Sequence, residues 1–160
     1  MRVHEVATAS PEETEGLGER LGRAARGGEL IGLVGDLGAG KTCLVRGLAR
    51  GLALDPERIT SPTFIVVGEH RGGRLTLQHV DLYRLESWSA DEPLLREVLW
   101  GDGVAAVESF DRLVDSAGGE FLRVTLDIGA GDGRRIGLEA VGQRHEALLA
   151  RMLDEMGRGR

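Results

Sequence analysis

Gly35-Asp36-Leu37-Gly38-Ala39-Gly40-Lys41-Thr42 matches the phosphate-binding pattern G-x-x-x-x-G-K-[ST] at every fixed position. Ahead of it, Leu30-Ile31-Gly32-Leu33-Val34 is a short apolar run of the kind that forms a buried strand. Behind it, residues 43–50 repeat apolar side chains at helical spacing. Strand, glycine loop and helix are the context the pattern requires. A polyphosphate crowds negative charge onto a few oxygens and needs donors on all sides. Glycines let the backbone curl tightly and turn successive N–H groups inward. The N–H groups and dipole of the following helix point at the same anion. Gly35, Asp36, Leu37, Gly38, Ala39, Gly40, Lys41, Thr42 and Cys43 are therefore candidate nucleotide contacts. Lys41 is placed to bridge phosphates, and the Thr42 hydroxyl to hold Mg²⁺.

Lys41 is the only lysine in the chain, and every other cationic position is Arg. A compact ammonium fits inside a phosphate loop, whereas a planar guanidinium fork does not. The guanine-reading motif Asn-Lys-x-Asp is ruled out because the chain has no asparagine and no second lysine. ATP is the expected nucleotide.

The chain has 160 residues, 41% of them hydrophobic, and a net charge of −6. That size allows one domain with a substantial core, expected over residues 1–156 with a frayed tail at 157–160. No apolar run approaches a membrane span, and no basic-then-apolar signal region opens the sequence. One cysteine excludes an internal disulfide framework and a Cys-based zinc cluster, and the expected location is cytoplasmic. An acidic surface is a poor match for a nucleic-acid backbone, so any role with RNA is expected to be indirect. Arg20, Arg23 and Arg26 are taken as a solvated helix face.

Residues 1–9 alternate like an edge strand. Ser10-Pro11-Glu12-Glu13 opens a helix with an N-cap, a first-turn proline and a third-position glutamate, expected to run to Arg26. Thr14 is expected on its surface. A strand is expected to about Glu69 after the turn Ser61-Pro62-Thr63, then another over 75–81. A helix follows from Ser89 or Asp91 to Leu99, then a buried strand Val104-Ala105-Ala106-Val107. The runs 121–126 and 135–140 read as a hairpin across Gly129–Gly133, followed by a helix over 143–156.

Two acids end strands, Asp81 and Glu108, and ligands in open α/β sheets gather at strand carboxyl ends. They are candidates for metal binding and catalysis alongside Lys41 and Thr42. Ser61 and Thr63 are candidates for a turn that senses the terminal phosphate. His79, two residues before Asp81 on the same strand face, is expected to be structural. His4, His70 and His145 form no set, and Trp88 and Trp100 are read as core or partner contacts. A small-molecule kinase would need an arginine-bearing lid, and Arg71, Arg74, Arg134 and Arg135 lie in turns that look solvated.

Three segments in order, Gly35–Thr42, Thr60-Ser61-Pro62-Thr63-Phe64 and Val80-Asp81-Leu82-Tyr83-Arg84-Leu85, resemble the TsaE (YjeE) family, bacterial ATPases of tRNA threonylcarbamoyladenosine modification. The resemblance covers roughly residues 10–112. It implies an α/β P-loop NTPase fold of three layers, with a mixed, mostly parallel central sheet and a C-terminal antiparallel hairpin plus helix. It also implies ATP and Mg²⁺, and partners of the TsaD and TsaB type, with tRNA engaged only indirectly. By position it gives Thr42 and Asp81 to Mg²⁺, Ser61 and Thr63 to the switch-like turn, and Glu108 to orienting water. Where that family has Val-Glu-Trp, this chain has Val107-Glu108-Ser109-Phe110.

Overall fold

The computed structural model describes residues 2–36, 38–59, 67–81, 88–89, 99, 101–110, 113–115 and 119–158. Its organising element is a seven-stranded mixed sheet in the order β1-β9-β8-β2-β6-β4-β3. The strands are β1 (Arg2–Thr8), β2 (Leu30–Gly35), β3 (Val67–His70), β4 (Leu77–Asp81), β6 (Val104–Glu108), β8 (Phe121–Ile128) and β9 (Arg134–Val141). A separate pair joins β5 (Trp88–Ser89) to β7 (Leu113–Asp115). The four central strands β8, β2, β6 and β4 are parallel, while β1, β9 and β3 attach antiparallel. The hairpin expected at the C-terminal end is β8–β9, and it extends the main sheet because β8 also pairs with β2.

Strand β6 shows why the centre reads as an unbroken apolar run. Val104 and Ala106 pack in a cluster on one sheet face, and Ala105 and Val107 in a cluster on the other. A strand covered on both faces has no solvated side to keep polar. The larger cluster is built under three helices, α1 (Pro11–Ala24), α2 (Lys41–Gly51) and α3 (Gln143–Arg158). The second joins Leu30, Val80 and Phe110 to Leu99. Most of the helix expected to end at Leu99 lies outside the described residues. Its earlier proposed start, Ser89, is instead in β5.

Helix α1 begins as expected, with the Glu13 N–H donating to the Ser10 hydroxyl at 3.1 Å. It ends at Ala24, two residues short of the expected Arg26. The reason is the buried Glu29 carboxylate, which accepts from the N–H groups of Arg26 and Gly27 at 2.8 and 2.6 Å and so takes donors from a further turn. Helices α1 and α2 meet backbone to backbone. A Cβ on Gly18 would stand 2.1 Å from the Leu44 carbonyl oxygen, and one on Gly47 would stand 1.8 Å from that of Glu15. Gly22 and Gly51 repeat the arrangement one turn on. These glycines bring the helix behind the loop flush against its neighbour.

Candidate nucleotide site

The glycine loop leaves the carboxyl end of β2 at Gly35 and enters α2 at Lys41. The Ala39 N–H donates to the Asp36 carbonyl at 3.0 Å, closing a tight turn. Gly38 and Gly40 have φ of 83° and 104°, a region that side-chain-bearing residues avoid. Gly40 is the N-cap and supplies no side chain to the first turn of α2, whose N–H groups face outward from the helix end. The Lys41 ammonium curls back over the loop and donates to the carbonyls of Gly35 and, at 3.4 Å, Asp36. Cys43 turns its thiol to the Pro11 carbonyl at 3.1 Å, and burial pushes that thiol up from its ordinary pKa. What Cys43 offers an anion is therefore its backbone.

The two acids end strands that run parallel to β2, and they share one row of the sheet with Leu33. Leu33 of β2 pairs with Glu108 of β6, and Glu108 pairs with Asp81 of β4. Strand spacing puts Asp81 about 10 Å across the sheet from β2, with Glu108 between them. Glu108 is only 3% exposed, and its Oε2 lies 2.5 Å from Nε2 of the equally buried His79. Ser109 follows with φ of 59°, and its hydroxyl donates to Asp81 Oδ1 at 3.3 Å. Next, Phe110 turns into the core over Gly32, edge-on to Phe121 at 5.1 Å between ring centroids. Its ring belongs to the sheet's second apolar cluster.

Two residues expected at the surface belong to the support of the loop. Thr14 is 2% exposed, and its hydroxyl meets that of Thr8 at 2.8 Å, tying α1 to the end of β1. Its methyl group lies 3.6 Å from where a Cβ on Gly40 would stand. Arg134 is partly buried at the hairpin turn and donates to the carbonyls of Ala39 and Gly38 at 2.8 and 3.2 Å. The other arginines considered for a lid are engaged elsewhere. Arg71 pairs with Glu69, Arg74 reaches the Gly22 carbonyl, and Arg135 lies 3.5 Å from Glu5.

Leu37, Ser61 and Thr63 lie outside the described residues, as do the segment 82–87 and Trp100; Trp88 is described only as backbone in β5. Sequence reasoning does not reach the His79–Glu108 contact, although it puts His79 on the same strand face as Asp81. The partner's identity depends on the β4–β6 register, which no local pattern carries. Among the described residues, no three His, Cys, Asp or Glu side chains cluster as a ready metal cage. The oxygens of Thr42 and Asp81 nonetheless suit Mg²⁺, which takes few protein ligands and relies on phosphate and water for the rest.

Comparison with known proteins bears on the family and the fold. The sequence model for "Threonylcarbamoyl adenosine biosynthesis protein TsaE" matches residues 8–136. The tRNA threonylcarbamoyladenosine biosynthesis protein TsaE of Bacillus subtilis is 38% identical over 141 residues, which cover 88% of each chain. That of Nostoc is 42% identical over 117 residues, 70% of this chain and 71% of the other. Among solved structures, the crystal structure of YdiB from Bacillus subtilis superposes with a TM-score of 0.78 at 31% identity over 96% of both chains. With a P-loop fold and a family match that spans the glycine loop and both acids, this chain belongs to the TsaE family of threonylcarbamoyladenosine biosynthesis.

Proposed function

We propose that this chain is the ATP-binding and ATP-hydrolysing component of the tRNA N6-threonylcarbamoyladenosine machinery. It acts on partner proteins of the TsaD and TsaB type in the cytoplasm and meets tRNA only through them. The observation that carries the reading is the row Leu33, Glu108, Asp81, in which two acids end strands parallel to the one that feeds the glycine loop. In this reading the first-turn N–H groups of α2 and the Lys41 ammonium grip the phosphates. Thr42 and Asp81 supply oxygens to Mg²⁺, and Ser109 steadies the Asp81 carboxylate from the side. Bound Mg²⁺ would neutralise charge on the terminal phosphates. Glu108, held by His79, orients the attacking water, and its earlier assignment as a direct metal ligand becomes secondary to that role. Ser61 and Thr63 complete the site as the turn that answers to the terminal phosphate.

A second reading is favoured by the burial of Glu108 against His79. A carboxylate so enclosed suits a nucleotide-gated adaptor, in which ATP orders a partner-facing surface and hydrolysis is incidental. The kinase alternative loses support because its four lid arginines contact the protein's own groups. Glu108→Gln keeps the shape and removes the charge, so it separates the remaining two. In a reconstituted tRNA modification assay with TsaD- and TsaB-type partners, the variant is expected to lose at least about tenfold in sustained product formation. Equal modification by variant and wild type would leave the adaptor.

A further inference from the structure

We propose that Arg134 is a positioning residue for the phosphate loop, clasping its carbonyl side so that its amide side stays turned to the nucleotide. The proposal rests on the nucleotide reading above and adds a residue to it. One guanidinium spans two segments: Nε and Nη2 donate to the loop carbonyls of Ala39 and Gly38, while Nη1 donates to Gly133 at 2.7 Å and Gly131 at 3.3 Å in its own turn. In a planar trans peptide the N–H lies opposite the carbonyl of the same unit. Holding the Ala39 carbonyl therefore aims the Gly40 N–H away from Arg134, toward the side where an anion would sit. Holding the Gly38 carbonyl turns the Ala39 N–H away from Arg134 as well, into its bond with the Asp36 carbonyl, and so holds the turn closed.

The clasp is built into the sheet. Arg134 pairs with Thr8 on one side and Ile128 on the other, and Thr8 bonds Thr14 beneath Gly40. The loop is thus backed by β1, α1 and the β8–β9 turn together. Its glycines Gly38 and Gly40 have φ of 83° and 104°, a flexible backbone that loses much freedom when fixed. Fixing it before the ligand arrives removes an ordering cost from binding. Arginine suits this place because its three guanidinium nitrogens reach carbonyls in the loop and in the hairpin turn at once, whereas the three donors of a lysine sit on one atom and cannot span both segments. Arg135, one residue on, faces the opposite side, is exposed and serves as the matched control.

The test measures binding of Mg·ADP and of Mg·pyrophosphate to the full chain by calorimetry. Wild type, Arg134→Gln, Arg134→Lys, Arg135→Gln and Lys41→Ala are compared, with circular dichroism melts as a check of folding. Arg134→Gln is expected to weaken both ligands by the same factor, about tenfold. Arg134→Lys should recover less than half of that loss on the logarithmic scale, and Arg135→Gln should change affinity less than about twofold. Should Arg134→Gln fail to fold, Arg134→Lys decides, and wild-type affinity there overturns the proposal. A loss for ADP with pyrophosphate unchanged would mean a contact to the base or ribose and would also overturn it. Wild-type affinity in Arg134→Gln, with Lys41→Ala impaired, removes the clasp and leaves the nucleotide site standing. A wild-type chain that binds neither ligand removes both.

Discussion

Lys41 is the residue on which the proposed chemistry turns. Its ammonium already arches over the loop to the Gly35 carbonyl, so a phosphate would meet a cation held in place. Lys41→Ala is expected to weaken ATP binding by about a hundredfold, at the upper end of what a charge-assisted contact supplies, and calorimetry checks it. Binding within a few-fold of wild type would refute the assignment. His145 is a residue with a stability role. It is buried, and its Nε2 accepts the Leu30 N–H at 2.9 Å, which holds the start of β2. Burial lowers its pKa below the ordinary histidine value. The folded state therefore binds fewer protons than the unfolded chain below about pH 6.5. Its contribution to stability is full above that pH and falls as pH drops toward the folded value. Urea midpoints measured from pH 7.5 to 5.5 should decline less in His145→Gln, which keeps an acceptor but does not titrate. Parallel declines in the two proteins would contradict this.

At the scale of elements, the α1–α2 contact decides how firmly the loop's helix is seated. Glycine inside a helix costs about 1 kcal/mol relative to alanine, and both helices carry it repeatedly. Where the backbones touch, the cost is offset by the close approach. Gly47→Ala would drive a methyl into the Glu15 carbonyl and is expected to destabilise the chain by about 1–3 kcal/mol. Among the described residues, no atom lies within 4 Å of where a Cβ on Gly16 would stand, and that position is helical. Gly16→Ala is accordingly expected to stabilise by up to about 1 kcal/mol. Chemical denaturation of the pair tests the arrangement: two changes of like sign and size would mean that the helices are not in backbone contact.

For the whole molecule, the charge distribution bears on partners. The net charge is −6, and one arginine on α1 and one on α3 are committed to acidic groups. Arg23 lies within ion-pair distance of Glu19 and Glu155, and Arg151 lies 3.5 Å from Glu29. Phosphate contacts need cations in excess, and each one neutralised in place is lost to that use. The isolated chain is therefore expected to bind tRNA no more tightly than nonspecific proteins do, with Kd above about 10 μM at physiological salt. Filter binding or anisotropy checks this, and nanomolar binding without partners would overturn the indirect role. Mg·ATP at a hundred times its Kd should add about 2.7 kcal/mol to unfolding, an increment of which Lys41→Ala should lose most.

The sequence by itself determined the loop, the strand and helix on either side of it, the closing hairpin and helix, the capped start of α1 and the acids that close β4 and β6, but not the β5–β7 pair. These are local matters: fixed spacings, periods of two or 3.6, and residues suited to caps and turns. Tertiary structure alone decided that Glu108 faces His79, that Thr14 is buried, that Phe110 lies in the core, and that Arg134 grips the loop from across the hairpin. Each of these depends on register between segments far apart in the chain. A threonine or an arginine has the same intrinsic preference at a solvated position as at a clasp, and only the packed sheet brings its partner within reach.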